Sequence, residues 1–316
     1  MVEELLQWAS CLGTTIHPAV QIYEDLTTGM SFRATEDIPP GTKLVSCSYG
    51  VTLSFLNAVD APHFGRQSSP KFPQKFLDTL GYGKPNIVGH FFLVQQYLLR
   101  ENSFWWPYIR LLPQPDEASH IPALWSAEDR IYLHGTNAEP AIKKRLGMWE
   151  DEWNTGIALL PGFVDAEHYT FGLYKWAASI FGSRSFRPSL TIAESIAPHY
   201  ADHIKKDMFS VLLPVLDIGN HNGVNSVEWT MNSSSGVFML RSRSPLHQNE
   251  QIYNFYGNKS NSELLVGYGF TLPATPDLDW DIVNLKLKPG AEALALRRSQ
   301  CCHAMSQEAE DEVSIS

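Results

Sequence analysis

The chain has 316 residues, 44% hydrophobic and 18% charged, with a formal net charge of -10, the composition of an ordinary soluble protein that can bury a real core. The acidic balance disfavours nonspecific binding to a phosphate backbone and favours approach of a lysine-rich surface. No apolar run nears the roughly 20 residues a membrane helix needs, and the start, MVEELLQWASCLG, is acidic and amphipathic, so no secretion or membrane signal is expected.

Val2 to Leu12 has helical apolar spacing. Ala19 to Tyr23, Met30 to Ala34 and Lys43 to Tyr49 read as short strands separated by Thr-Thr-Gly and Pro-Pro-Gly turns. From Ile87 to Arg100, Val88, Phe91, Phe92, Gln95 and Leu99 recur at helical spacing, opening a helical stretch that continues with breaks to about Phe181. Strands then return: Ser226 to Met231 and Gly236 to Ser242 flank an Asn-Ser-Ser-Ser turn like a hairpin, and Gln251 to Tyr256 follows. Strands, a helical block and strands again describe an α+β chain with a helical insertion inside a β domain. The polar tail CCHAMSQEAEDEVSIS after Gln300 reads as disordered.

Several chemistries are excluded by missing patterns. No Gly-rich loop follows a strand as a dinucleotide fingerprint or P-loop requires. The eleven histidines show no H-E-x-x-H spacing, and no G-x-S-x-G elbow is present. Four scattered cysteines, Cys11, Cys47, Cys301 and Cys302, are too few for a disulfide scaffold or a four-ligand zinc site. No metal is expected, and a reducing intracellular compartment, cytoplasm or nucleus, is.

The most informative stretch is EQIYNFYGNKSNSELLVGYGF, Glu250 to Phe270, in which an apolar strand delivers Tyr256 onto Gly257, followed by a polar turn and a second Tyr-Gly-Phe. By itself Tyr256-Gly257 is an ordinary turn. Upstream, however, stand RATEDIPPGTK with LVSCSY, NSFWWPYIRLLP, WAASIFGSRSF and LLPVLDIGNH. In that order these motifs resemble the SET-domain methyltransferases typified by the plant Rubisco large-subunit lysine methyltransferase and the actin-histidine methyltransferase, over about residues 20 to 272.

The resemblance implies a β-rich SET fold with knot-like C-terminal threading. It divides the chain into an N-terminal helix at 1–18, a SET domain at 19–272 with a helical insert at about 86–205, and a short C-terminal extension at 273–316. It implies S-adenosylmethionine as cofactor and methyl transfer to a protein lysine, with histidine as the alternative acceptor and a non-catalytic protein-binding module as the alternative class. Tyr256 would line the methyl channel. Thr28, Gly29, Met30, Ser183, Arg184, Asn220, His221 and Phe270 would hold the cofactor, and Arg184, Asp217 and Tyr268 the substrate. A protein is the expected partner, with neither nucleic acid nor membrane. Trp105 and Trp106 read as packing of the insert. The chain departs from the family pattern at Thr28, where relatives often carry a carboxylate, at Ser31, where they carry glycine, and after Phe270, where they continue into a large helical lobe.

Overall fold

The structure, a computed structural model, describes residues 1–66, 70–224, 226–232, 236–273, 280–286 and 312–315. Helix α1 (Val2–Ser10) precedes β1 (Thr15–Ile16), β2 (Val20–Asp25), β3 (Gly29–Ala34), β4 (Lys43–Ser48) and β5 (Leu53–Ser54). The helical block follows: α2 (Phe55–Ala58), α3 (Gln74–Leu80), α4 (Pro85–Leu99), α5 (Trp106–Ile109), α6 (Ala127–Arg130), α7 (Ala138–Ile157) and α8 (Phe171–Arg184). After β6 (Ser185–Phe186) come α9 (Pro188–Thr191), α10 (Ala201–Lys205), β7 (Val211–Leu212), β8 (Val227–Asn232), β9 (Val237–Ser242), β10 (Gln251–Ile252), α11 (Asn261–Tyr268), β11 (Val283–Lys286) and β12 (Glu312–Ile315). The helical block therefore opens at Phe55, earlier than the expected residue 86. Helices of four and seven residues are too short to display an apolar period.

Two compact units emerge, Met1–Ser119 with Lys144–Tyr256, and His120–Lys143 with Gly257–Ser316. The first holds three sheets, ordered β1-β4-β9-β8, β10-β3-β2 and β5-β7-β6. β2 and β3 pair antiparallel from Val20 opposite Ala34 to Asp25 opposite Gly29. Asp25 closes this hairpin by accepting from the backbone N–H groups of Thr27 and Thr28, both at 2.9 Å, while Gly29 supplies the positive φ of 72° the turn requires. β8 and β9 form the expected hairpin, Val227 opposite Ser242; its Asn-Ser-Ser-Ser turn lies largely outside the described residues. Along β9, Phe238, Leu240 and Ser242 alternate inward.

Within the same unit α4 packs on α8. α4 starts at Pro85, whose missing N–H is harmless in a first turn. α4 is buried on nearly every face, so its polar members are partnered inside: Gln95 donates to the Pro70 carbonyl at 2.7 Å and Ser103 to Gln96 at 2.8 Å. α7 can lie against α4 because Gly156 has no side chain where the Phe91 ring passes. Trp105 is fully buried, its indole N–H donating to the carbonyls of Val51 and Thr52, the packing role expected of it.

In the second unit α11 begins with a capping box, Ser260 and Glu263 satisfying each other's backbone N–H groups, and ends at Gly269 with φ 81°. β11 and β12 pair antiparallel, Val283 opposite Ile315. Of the tail expected to be disordered, residues 301–311 and 316 lie outside the described residues, whereas Glu312–Ile315 is this strand. Among the described residues no helix is long and apolar enough to cross a membrane.

Candidate active site

The run LLPVLDIGNH is not the continuous strand-like stretch its apolar character suggests. Pairing stops at Leu212, Pro214 has no N–H to continue it, and Val215 turns the chain with φ 76° and ψ -50°. A β-branched residue there is strained by about 1–3 kcal/mol and persists only if its surroundings hold it. The turn Leu216–Ile218 packs against β3 and β4. The five residues from Asp217 to His221 then reach three other parts of the unit.

Asp217 reaches the helical block. Its side chain is 1% exposed. Oδ2 accepts from the Tyr108 hydroxyl at 2.7 Å and lies 3.5 Å from Arg184 Nη1, which also donates to the Asp217 carbonyl at 3.3 Å. Oδ1 is buried with no hydrogen-bond partner. Burial raises the carboxyl pKa, opposed by Arg184 and Tyr108, and burial with the adjacent carboxylate raises the Tyr108 phenol well above its usual value. Of the two acceptors Asp217 could offer a substrate amine, carbonyl or carboxylate, the carboxylate is turned into the core, where Tyr108 and Arg184 partner it. Its carbonyl is the part of the residue left to meet a ligand. Tyr108 was missed in the sequence because one tyrosine in SFWWPYI looks like any other packing aromatic.

Gly219 and His221 reach Tyr256. The Tyr256 hydroxyl donates to the Gly219 carbonyl at 2.9 Å, and its backbone N–H donates to His221 Nδ1 at 3.2 Å. The imidazole and phenol rings stack, centroids 5.0 Å apart and 16° from parallel. Since Nδ1 accepts an N–H, the proton of the neutral ring sits on Nε2. Strand β10 ends at Ile252, so Tyr256 does not close a strand running to it as expected. Instead Asn254, 1% exposed, pairs parallel with His221. Its N–H donates to the Asn220 carbonyl at 2.6 Å, and its side-chain oxygen accepts from Trp229 Nε1 and from the Phe255 N–H. A single asparagine thus replaces the ladder that a longer strand would provide.

Asn220 reaches the β2–β3 turn, donating through Nδ2 to the carbonyls of Thr28 at 3.3 Å and Met30 at 3.4 Å. Gln251 fastens the same turn from its other side, at 2.5 Å from Ser31 Oγ and 3.4 Å from Thr28 Oγ1. Both departures from the family pattern, Thr28 and Ser31, therefore share one amide. Beside Gly29 the space is open, with no atom within 4 Å of where a Cβ would stand.

Ser183 and Arg184 close α8. Arg184 faces Asp217, whereas the Ser183 hydroxyl bonds back to the Ser179 carbonyl at 2.8 Å within its own helix. Tyr268 and Phe270 belong to the second unit, their rings edge-on at 6.2 Å, with Lys259 over Tyr268. Cys47 is buried, and burial pushes its thiol pKa up, which removes it as a nucleophile. Asp165, Glu167 and His168, all exposed, bring one ligand atom each within 4.8 Å of one another. Exposed acidic groups commonly stand so close without an ion.

No protein-family model matches the sequence. The ribosomal lysine N-methyltransferase set10 of Schizosaccharomyces pombe is 29% identical over 292 residues, covering 90% of this chain and 48% of that protein. Ribosomal lysine N-methyltransferase 1 of Saccharomyces cerevisiae is 35% identical over 333 residues, covering 91% of this chain and 51% of that protein. The chain thus spans about half the length of these curated relatives. Among solved structures, the SET domain of LSMT bound to lysine and AdoHcy superposes with a TM-score of 0.70 at 19% identity, over 99% of this chain and 66% of that one. The chain has the fold of a SET domain, and the relatives it matches are protein-lysine N-methyltransferases.

Proposed function

We propose that the chain transfers methyl groups from S-adenosylmethionine to lysine side chains of a protein substrate. The observation that carries this reading is that one short run serves two sides of a site: Gly219 and His221 hold Tyr256, and Asn220 between them holds the carbonyls of the Thr28–Met30 turn. The turn fits the cofactor: its backbone is open beside Gly29, and Asn220 fixes the carbonyls on either side. Thr28, Gly29, Met30, Asn220 and His221 would hold it. When bound, S-adenosylmethionine supplies a methyl group on a positively charged sulfur.

The chain's own part is positioning. A lysine must arrive as a neutral amine, whose free pKa is about 10.4, and a site walled by protein lowers that value by stripping water from the ammonium. Tyr256 commits its hydroxyl proton to Gly219, so its oxygen acts as an acceptor that orients the amine and the methyl hydrogens. It does not serve as a base, since a phenol's pKa near 10 leaves it protonated. Arg184 fixes the Asp217 carbonyl, which the incoming amine would meet. Phe270, Tyr268 and Ser183 remain members of the proposed site by motif alone.

The relatives are named for lysine, which favours lysine over histidine, and two are named as ribosomal lysine methyltransferases, so ribosomal protein is the first substrate class to try. A buried Cys47 thiol, and no disulfide among the described residues, support action in the cytoplasm or nucleus. The test is incubation of purified chain with isotope-labelled S-adenosylmethionine and a cell extract, with and without added ribosomes, followed by mass spectrometry. Label on lysine, lost at least a hundredfold in Tyr256→Phe while cofactor affinity stays, supports the reading; that loss equals about 2.7 kcal/mol of transition-state stabilisation. Saturable cofactor binding with no transfer to any protein would instead identify a binding module.

A further inference from the structure

Away from these residues, in the first unit, a cleft of about 670 Å³ opens between α2, α3 and the turn leading into α10. Phe55, Tyr82, Tyr200 and His203 line it, with Asp78 and Asp202 beside them. The His203 ring stacks on Phe55 at 5.9 Å and meets the rings of Tyr82 at 5.6 Å and Tyr200 at 5.7 Å nearly at right angles.

Three observations indicate what this cleft is built to receive. First, His203 is 7% exposed. Its Nε2 meets the Gly81 carbonyl at 3.2 Å and so carries the proton, leaving Nδ1 as a buried acceptor without a hydrogen-bond partner. A buried acceptor left in that state has a cost that a donor from outside would remove. Second, Tyr82 is 78% exposed. A large ring held against His203 yet standing in water is an unfinished wall, of the kind aromatic residues supply at contact surfaces. Third, both carboxylates hold exchangeable partners: Asp78 accepts from the Gln74 amide at 2.8 Å, and Asp202 pairs with Lys206 at 3.2 Å with both side chains exposed. Such exposed pairs contribute little and yield readily to a better-placed donor.

Aromatic faces, an unmet acceptor and two carboxylates are complementary to one ligand chemistry, a planar cation with several N–H donors. We infer that this cleft binds an arginine side chain presented by a basic segment of a partner protein. The guanidinium stacks on Tyr82 or Tyr200 and donates to Asp78 and Asp202; a turn of the His203 ring would let it meet Nδ1 as well. The chain's net charge of -10 favours approach of such a segment. The inference stands independently of methyl transfer, since it uses no residue of the candidate active site.

Calorimetric titration of the whole chain with Nα-acetyl-arginine methylamide tests it, beside the citrulline analogue, which keeps the shape without the charge, and the lysine analogue. Saturable arginine binding with a dissociation constant of about 1 mM is expected, with citrulline at least tenfold weaker. Tyr82→Ala should weaken arginine about tenfold and Asp202→Asn severalfold, both with an unchanged melting temperature because each side chain is exposed. No saturation by about 10 mM, equal binding of citrulline, or an unaffected Tyr82→Ala variant each overturns the site. Lysine binding as tightly as arginine overturns the assignment to arginine.

Discussion

Two buried polar clusters in the first unit share a tyrosine hydroxyl donating to a carboxylate and differ in their third member. Near α7, Tyr174 donates to Glu152 at 2.9 Å and stands 3.1 Å from His90 Nδ1. Beside the candidate site, Tyr108 donates to Asp217 and the third member is Arg184. Burial holds the His90 pKa down at about 3, so the imidazole is neutral, and with the Tyr174 proton given to Glu152 its Nδ1 is the donor. Arginine cannot escape in that way. A histidine answers burial by losing its charge, whereas arginine forces its carboxylate partner to follow it inward. The cluster at the site is therefore the one that keeps its cation.

The largest effect should come from Arg184→Met, which leaves the Asp217 carboxylate with Tyr108 as its remaining hydrogen-bond donor among the contacts described. Breaking a buried pair costs about 3–5 kcal/mol. Because the Arg184 side chain is 29% exposed and water can partly replace it, about 2–3 kcal/mol is expected, read as a lower urea midpoint at constant slope. A loss below about 0.5 kcal/mol would mean that Arg184 does not hold the Asp217 carboxylate.

Lowering the pH separates the clusters by sign. The unfolded chain protonates His90 near pH 6.5 while the folded chain waits until about 3, so between those values the unfolded state binds more protons and stability falls as the pH is lowered. That group alone removes about 2 kcal/mol by pH 5, and His90→Gln should flatten the curve by this amount. At Asp217 burial raises the pKa, so the folded state takes up the proton first. Its contribution runs the opposite way, and Asp217→Asn should lose ground against the parent as the pH falls toward the ordinary carboxylate range. Identical pH curves for parent and His90→Gln would show a charged imidazole and dissolve the contrast.

Tyr174→Phe and Tyr108→Phe should each cost about 1.5–3 kcal/mol, since both hydroxyls donate to a carboxylate. A much smaller midpoint shift in urea for one of the two would argue that its carboxyl partner is protonated in the folded chain. The smallest effect belongs to the exposed β2–β3 turn. Thr28→Glu should leave stability within about 0.5 kcal/mol and tighten S-adenosylmethionine severalfold by calorimetry. Weaker binding would mean that Gln251 already serves the ammonium.

Much of this arrangement was legible in the sequence because strands and caps leave local marks. β2, β3, β4, the β8–β9 hairpin and α4 fall within a few residues of the positions their apolar periods indicate. α11 stands where the sequence suggests a polar turn and a Tyr-Gly-Phe ending, although Ser260-x-x-Glu263 announces its start. What no period reveals is a break imposed by distant contacts: Val215 reverses an apolar run, and β10 stops at Ile252 since Asn254 takes over the pairing. At the site, the residue types stood in recognisable order, but the partnership of Tyr108, Asp217 and Arg184 is written in three separate motifs. Only folding makes the carboxylate face the tyrosine.

The fastening of the β2–β3 turn also dictates a schedule. Asn220 reaches Thr28 and Met30 across 192 and 190 residues, and Gln251 reaches Thr28 and Ser31 across 223 and 220. Contacts this far apart along the chain must wait for loop closure and form slowly. During synthesis from the N-terminus, the β2–β3 hairpin emerges long before either amide that holds it. The turn proposed to cradle the cofactor is therefore made long before it is finished, and nascent chains that end before Gln251 cannot assemble it.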